Sequence, residues 1–286
     1  NIIKVDYRAT SALERKNIIV RAMRYDIELL AEKVETAEEY AQAIAEGFTL
    51  FQGYFFARPE IVQGRRMPEN KLTKMELIRT INDPNVNFDE IADVIKRDVS
   101  LSYKLLKCIN SAAFGFQQEI ESIQQALVYL GFAHIRKWVT FLAMADISED
   151  KSAELLRSAL FRARFGEKLS LLLNLGNSEE LFLMGLFSLA DAMMDKPMED
   201  VLHEVPLPKG VIGTLLGQEH EYGYIHEMVV AYEMADWDTV ESIVQELNVD
   251  TESLLMLQRE ALEWCNTIIS STLINTSASI SEKQSA

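Results

Sequence analysis

A mainly helical protein led by a short α/β segment is the fold class this sequence predicts, and three observations predict it. Glycine (12) and proline (6) are scarce among the 286 residues, and helix interiors exclude both. From Leu72 onward apolar residues recur at three- and four-residue spacing, the period of one helix face. Ahead of that point, three short apolar segments alternate with two helical stretches.

The apolar segments Ile2 to Tyr7, Glu28 to Val34 and Leu50 to Ala57 read as strands, separated by helices over Ala12 to Tyr25 and Ala37 to Ala45. Thr36 is a plausible N-cap for the second helix and Gly47 a plausible C-cap. Strand, helix, strand, helix, strand at this spacing implies parallel pairing with right-handed crossovers. Such a sheet buries both faces, and three strands with two helices make a poor independent domain. Residues 1–62 are therefore expected to be the end of a larger α/β unit. The alternative is a small open cap completed by packing on the rest of the chain. Residues 63–70, polar and carrying Gly64 and Pro68, are the expected linker.

Beyond it, Phe88, Ile91, Ala92 and Ile95 follow Asn87, with Glu90 three residues on in the manner of a capping box. Leu101, Leu105, Cys108, Ile109 and Ala112 form the next stripe, stopped by Gly115. Ile123, Leu127 and Leu130 form another, stopped by Gly131. Further stretches run over Ile135 to Ala145, Ala153 to Leu173, Glu179 to Met194, Met198 to His203, Tyr224 to Asp236, Val240 to Leu247 and Ser253 to Ile269. A multi-helix bundle over residues 71–273 accounts for them, and the Ser-rich end, 274–286, reads as a disordered tail.

Charge limits the partners. Lys and Arg number 28 against 44 Asp and Glu, a formal net charge of −16, whereas neutralising phosphates takes clustered excess cations. Nucleic acid is not the expected partner. No stretch has the length of apolar residues that a membrane-spanning helix needs, and no secretory signal is visible. Cys108 and Cys265 form no CxxC pair. A cytoplasmic protein without a cofactor fits these features.

The residues that offer chemistry fall into separate groups. Lys4, Asp6, Glu32, Glu35 and Gln52 stand in or just after strands, where the C-terminal ends of parallel strands carry active sites in α/β barrels; helix capping and surface ion pairing are the competing roles. Asn110 and Ser111 lie at a helix end and serve either as a binding site or as its terminator. Lys96, Arg97, Lys104 and Lys107 form a basic cluster, and Arg157, Arg162, Arg164 and Lys168 a second; solvated faces are the expected role of both. His134, His203, His220 and His226 show no metal-ligand spacing. Tyr232, Trp237 and Trp264 are expected as core anchors.

Two resemblances sharpen this reading. Ile3-Lys4-Val5-Asp6, Leu30 to Thr36, Gly47-Phe48 and Phe51-Gln52-Gly53-Tyr54-Phe55 resemble the closing motifs of the EAL family, TIM-barrel phosphodiesterases of cyclic di-GMP. The resemblance implies that Lys4 is the catalytic-site lysine, Glu32 a carboxylate engaged with it, Gln52 a site-floor residue and Glu35 part of the same segment. Lys33 stands where active members usually carry glycine. The chain contains none of the earlier strands that supply the Glu-Ala-Leu signature and the Asp pair that hold the metals, so it is not expected to hydrolyse cyclic di-GMP by itself.

Residues 71–262 resemble the HDOD domain, an HD-related output module of bacterial signalling proteins. The carriers are Ile95 to Ser102, then Leu105 to Gly115 with Asn110-Ser111-Ala112, then Ile123 to Gly131. In the run Gly185-Leu186-Phe187-Ser188-Leu189-Ala190-Asp191, Ser188 and Leu189 take the positions of the His-Asp metal pair of true HD phosphohydrolases. Leucine cannot ligate a metal and serine replaces imidazole poorly. The expected function is a non-catalytic signal-transduction module from the C-terminal part of an EAL-HDOD protein, acting through protein contacts, with Asn110, Ser111, Lys104 and Lys107 as candidate contact residues. The alternative is the regulatory part of an active cyclic di-GMP phosphodiesterase whose barrel lies largely outside this chain. A degenerate HD hydrolase is the third reading.

Overall fold

In the computed structural model, strands β1 (Ile2–Asp6), β2 (Glu28–Glu32) and β3 (Leu50–Phe51) pair in parallel in that order. Residues 1–25, 27–53, 57, 68–116 and 118–273 are described. The chain divides into two compact units, Asn1–Glu60 and Ile61–Ala286.

Helices α1 (Ala12–Arg24) and α2 (Ala37–Glu46) make the two crossovers of the first unit. Both start in capping boxes, Ser11 with Glu14 and Thr36 with Glu39, each pair satisfying two otherwise unbonded N–H groups. Gly47 ends α2 at φ 105°, a conformation that side chains disfavour. The core gathers Val5, Tyr7, Ile19, Leu29, Ala31, Val34 and Phe48. Arg15 is buried against it: its guanidinium takes Glu46 at 2.8 and 3.0 Å, donates to the carbonyls of Tyr7 and Thr10, and stacks on the Tyr7 ring.

All three strands are shorter than their apolar runs. β2 stops at Glu32 because Lys33 turns the chain at φ 58°. β3 stops at Phe51; Gln52, Gly53 and Ala57 are not strand, and residues 54–56 lie outside the described residues. Among the described residues of the expected α/β segment, these three strands and the two crossover helices are the regular elements.

The second unit is helical throughout: α3 (Glu69–Asn82), α4 (Phe88–Arg97), α5 (Val99–Ile109), α6 (Ile123–Ile147), α7 (Ala153–Leu172), α8 (Ser178–Phe187), α9 (Ala190–Met194), α10 (Met198–Glu204), α11 (Lys209–Leu215), α12 (Gly223–Met234), α13 (Trp237–Leu247) and α14 (Thr251–Leu273). Helix α3 begins at the end of the expected linker, with Pro68 at its N-cap and Glu69 in its first turn; of the linker, residues 63–67 lie outside the described residues, as does the tail 274–286. The break expected at Gly131 is present inside α6, at φ 77° and ψ 168°. The expected helix over Glu179 to Met194 is instead two, because Leu189 leaves helical geometry at φ −126°. Helix α11 was not legible from its pattern, since Gly210 and Gly213 interrupt it.

Beyond Gly131, α6 is buried on almost every side from Ile135 to Ile147, which marks it as the helix that the others wrap. Trp138 ties the core together, with ring centroids 4.9 Å from Phe114, 5.5 Å from Trp264, 5.8 Å from Phe141 and 6.4 Å from Phe182. Tyr232 is buried as expected, but Trp237 is 57% exposed, because it opens α13 and turns one edge to the Tyr232 ring. Helices α7 and α8 meet at their backbones. At Gly185 a β-carbon would lie 2.3 Å from the Ala163 nitrogen and 2.4 Å from the Arg162 carbonyl carbon, so only glycine permits this crossing.

Candidate functional site

Parallel strands present their C-terminal ends on one edge, and the register sets Asp6 opposite Glu32 there. Lys4 reaches Glu32 at 2.9 Å, and Lys33 reaches Asp6 at 2.7 Å. Arg8 takes Glu35 at 2.7 Å and Glu39 at 3.3 Å. The Lys33 ammonium, with the backbone N–H of Ala9, holds the Asp6 carboxyl below its usual range. Gln52 is fixed through its backbone, its N–H donating to Ala31 and its carbonyl accepting from Val34. Gly53 beside it lies so close to Val34 that a β-carbon would meet the Val34 carbonyl oxygen at 2.0 Å, the physical reason for glycine after Gln52. Tyr54 and Phe55 lie outside the described residues.

Lys4, Glu32, Glu35 and Gln52 are thus gathered on one rim, but its carboxylates are each turned to a cation. No three His, Cys, Asp or Glu side chains converge as a metal-holding group among the described residues. This donor set does not fit the metals of an EAL site. Lys33 adopts the left-handed backbone that glycine enters without steric cost and other residues enter at about 1 kcal/mol or more.

In the helical unit, Ser188 follows the last turn of α8 and Leu189 is buried in the break before α9. Ser188 donates to the Gly185 carbonyl at 2.7 Å and accepts from the Arg162 guanidinium at 3.2 Å. The same guanidinium, 3% exposed, pairs with Glu233 of α12 at 2.6 Å. A fixed cation therefore stands beside Ser188 and Leu189, the two positions expected to correspond to the HD metal pair. It would repel a divalent ion, and leucine offers such an ion nothing, so these residues do not fit an HD metal either.

Asp191, just beyond, is half-buried, and burial pushes its carboxyl up. His226 on α12 is pulled down to about 4, first by burial and then by the charge of Arg162. The remaining histidines stand apart. His203 is exposed on α10, His134 is exposed on α6, and His220 packs on the Tyr222 ring.

The His226 shift predicts a pH dependence. A histidine whose folded pKa lies below its unfolded value of 6.5 contributes fully above pH 6.5, and that contribution is lost as pH falls toward 4. The loss is on the order of 3 kcal/mol. Urea midpoints measured between pH 7.5 and 4.5 should fall accordingly, and His226→Gln should flatten the fall.

Two of the four expected contact residues, Lys104 and Asn110, are engaged internally through their side chains. Lys104 pairs with Asp146, which also takes Lys74 at 2.8 Å, and Lys74 bonds Asp98 at 2.7 Å. Asp98 in turn caps α5 through the Leu101 N–H. Asn110 ends α5, its backbone N–H donating to the Leu106 carbonyl, while its side-chain amide turns elsewhere: it accepts from the Ile120 N–H at 2.8 Å and donates to the Ile120 carbonyl at 2.9 Å. It closes the loop that separates α5 from α6. Ser111 Oγ is buried with no hydrogen bond among the described residues. Asn110→Ala should cost about 2 kcal/mol, two hydrogen bonds at the loop base, read as a lower urea midpoint.

Two buried ion pairs escaped the sequence reading. The second basic cluster is no solvated face: Arg162 is buried, and Arg164 pairs with Glu167 and lies over the Trp264 ring. Lys137 of α6, also buried, bonds Glu167 and faces the Phe182 ring at 3.9 Å. For Arg162 the signal was present, a charged residue within the otherwise apolar run Ala159-Leu160-Phe161-Arg162-Ala163; Lys137 directly follows Arg136 and carries no such signal.

Residues 67–252 match the HDOD domain. The chain belongs to the HDOD family. Among curated relatives, it is 35% identical over 272 residues to the uncharacterized protein YuxH of Bacillus subtilis strain 168, covering 94% of this chain and 66% of that protein. It is 35% identical over 240 residues to the cyclic di-GMP phosphodiesterase CdgJ of Vibrio cholerae, covering 84% of this chain and 56% of that one. This HDOD chain therefore spans somewhat under two-thirds of the length of the curated relatives it matches. A solved structure from Shewanella amazonensis SB2B, provisionally named a phosphohydrolase, superimposes with a TM-score of 0.52 at 17% identity, over 71% of this chain and 94% of that one; at that identity the likeness concerns the fold alone. Among the described residues, no helix is long and apolar enough to cross a membrane.

Proposed function

We propose that this chain is the C-terminal part of an EAL-HDOD signalling protein, in which residues 1–62 close an EAL-type barrel and the HDOD domain is a non-catalytic output module that works through protein contacts. The observation that carries the reading is the Arg162 guanidinium bonded to Ser188 and Glu233. It occupies with a covalently held cation the neighbourhood where an HD hydrolase would need an open metal site. The Lys4–Glu32 pair at the strand ends supports the EAL-type origin of the first segment, as does the 35% identity to CdgJ, itself a cyclic di-GMP phosphodiesterase. Metal analysis of the purified chain should find no tightly held transition metal, and incubation with cyclic di-GMP and Mg or Mn should yield no product. Bound metal together with chelator-sensitive hydrolysis defeats the reading. Affinity capture by the full chain should return a specific protein partner, and none across several growth conditions counts against it.

The second reading makes the same module the regulator of an active phosphodiesterase in a longer protein. Lys4 facing Glu32 favours it. The longer protein should then hydrolyse cyclic di-GMP and lose turnover on Lys4→Ala.

A further inference from the structure

A cavity of about 330 Å³, lined by neither Ser188 nor Leu189, opens on the HDOD domain between α6, the N-terminal half of α8 and the Pro206-Leu207-Pro208 segment. Two opposite charges face it without meeting. Arg136 of α6 makes no hydrogen bond or ion pair among the described residues; its Nε is buried without a partner, and its guanidinium rests on the Phe132 ring at 4.7 Å. Glu179 of α8 is near enough to influence the Arg136 charge, yet it forms no ion pair with it among the described residues. The other charges around the cavity are already used. Lys137 is held by Glu167, and Glu180 accepts from the Tyr222 hydroxyl at 3.0 Å. Pro84, Leu183, Leu207 and Pro208 supply apolar wall.

A half-buried guanidinium with an unsatisfied N–H calls for a carboxylate, which it can take in the fork geometry that favours arginine. A free anion such as phosphate suits the cavity badly, because Glu179 and Glu180 would oppose its charge and the chain as a whole carries −16. A net-neutral ligand with one carboxylate and one ammonium satisfies both open charges at once, and an apolar tail would fill the wall of prolines and leucines. We propose that this cavity binds a free α-amino acid with an apolar side chain, its carboxylate on Arg136 and its ammonium on Glu179. This gives the HDOD domain a small-molecule input separate from the protein contacts proposed above, and it stands whether or not the chain takes part in cyclic di-GMP signalling.

The test is calorimetric titration and thermal shift of the full chain with leucine and phenylalanine. N-acetylleucine lacks the ammonium, leucinamide lacks the carboxylate, and inorganic phosphate serves as the anion control. The amino acids should bind and raise the melting temperature. Each blocked analogue should bind at least about tenfold more weakly, the factor that one lost charge-assisted bond supplies. Arg136→Gln and Glu179→Gln should weaken the parent amino acids by a similar factor; Glu179 is exposed, so that variant is expected to fold normally. Absence of amino-acid binding at millimolar concentration, binding of phosphate alone, or affinity indifferent to both substitutions would overturn the proposal.

Discussion

Gly185→Ala is expected to be the most damaging single methyl group that can be added to the helical unit. The new β-carbon would lie 2.3 to 2.5 Å from backbone atoms of Arg162 and Ala163. No rotamer change can relieve a clash between a β-carbon and main chain, so α7 and α8 must separate. Their separation would loosen the fully buried Phe165, Phe182 and Phe187. Overpacking of ordinary cores costs about 1–3 kcal/mol, and a backbone-on-backbone contact belongs at or beyond the upper end of that range. Urea unfolding followed by far-ultraviolet circular dichroism should show a large loss of midpoint or an unfolded helical unit. A midpoint within experimental error of the parent would show that α8 can shift freely, contrary to the packing described.

Arg162→Ala should be nearly as severe, for an electrostatic reason. The side chain is buried and answers both Glu233 and Ser188. Removing it leaves the Glu233 carboxylate without its cation and opens a cavity, and breaking a buried pair from one side costs about 3–5 kcal/mol. The double variant Arg162→Met with Glu233→Leu removes both charges and keeps most of the volume. It should recover the larger part of the loss, since apolar replacement of a buried pair is often neutral or stabilising. Equilibrium unfolding of the wild type, Arg162→Met, Glu233→Leu and the double variant closes the cycle. If Arg162→Ala alone is neutral, the guanidinium is not what holds α7 against the Ser188 break and α12.

These two residues also mark the boundary between what could be read from the chain and what could not. Local signals acted over a few residues and were legible. The N-cap at Thr36, the capping box at Asn87, the stop at Gly131 and the parallel pairing of the strands follow from side chains satisfying neighbouring N–H groups, from glycine's tolerance of positive φ and from apolar periodicity. The motif runs around Asn110 and Gly131 fall within the stretch that matches the HDOD domain.

The errors were tertiary. The second basic cluster reads as a charged helix face, and only the packing of α12 against α7 shows that Arg162 is enclosed with Glu233 as its counter-ion. Asn110 ends α5 as its position suggests, but the partner of its side chain lies ten residues on at Ile120. Trp237 reads as core, yet its position at the start of α13 leaves it exposed.

Composition, caps and periodicity by themselves determined the helical class and most of the order of the elements, because each depends on interactions spanning one or two turns. Which charges are buried, which are matched, and which face an open cavity unpaired was decided only when helices distant in sequence came together. Desolvation and ion pairing depend on the surroundings in space, and one-dimensional spacing does not specify them.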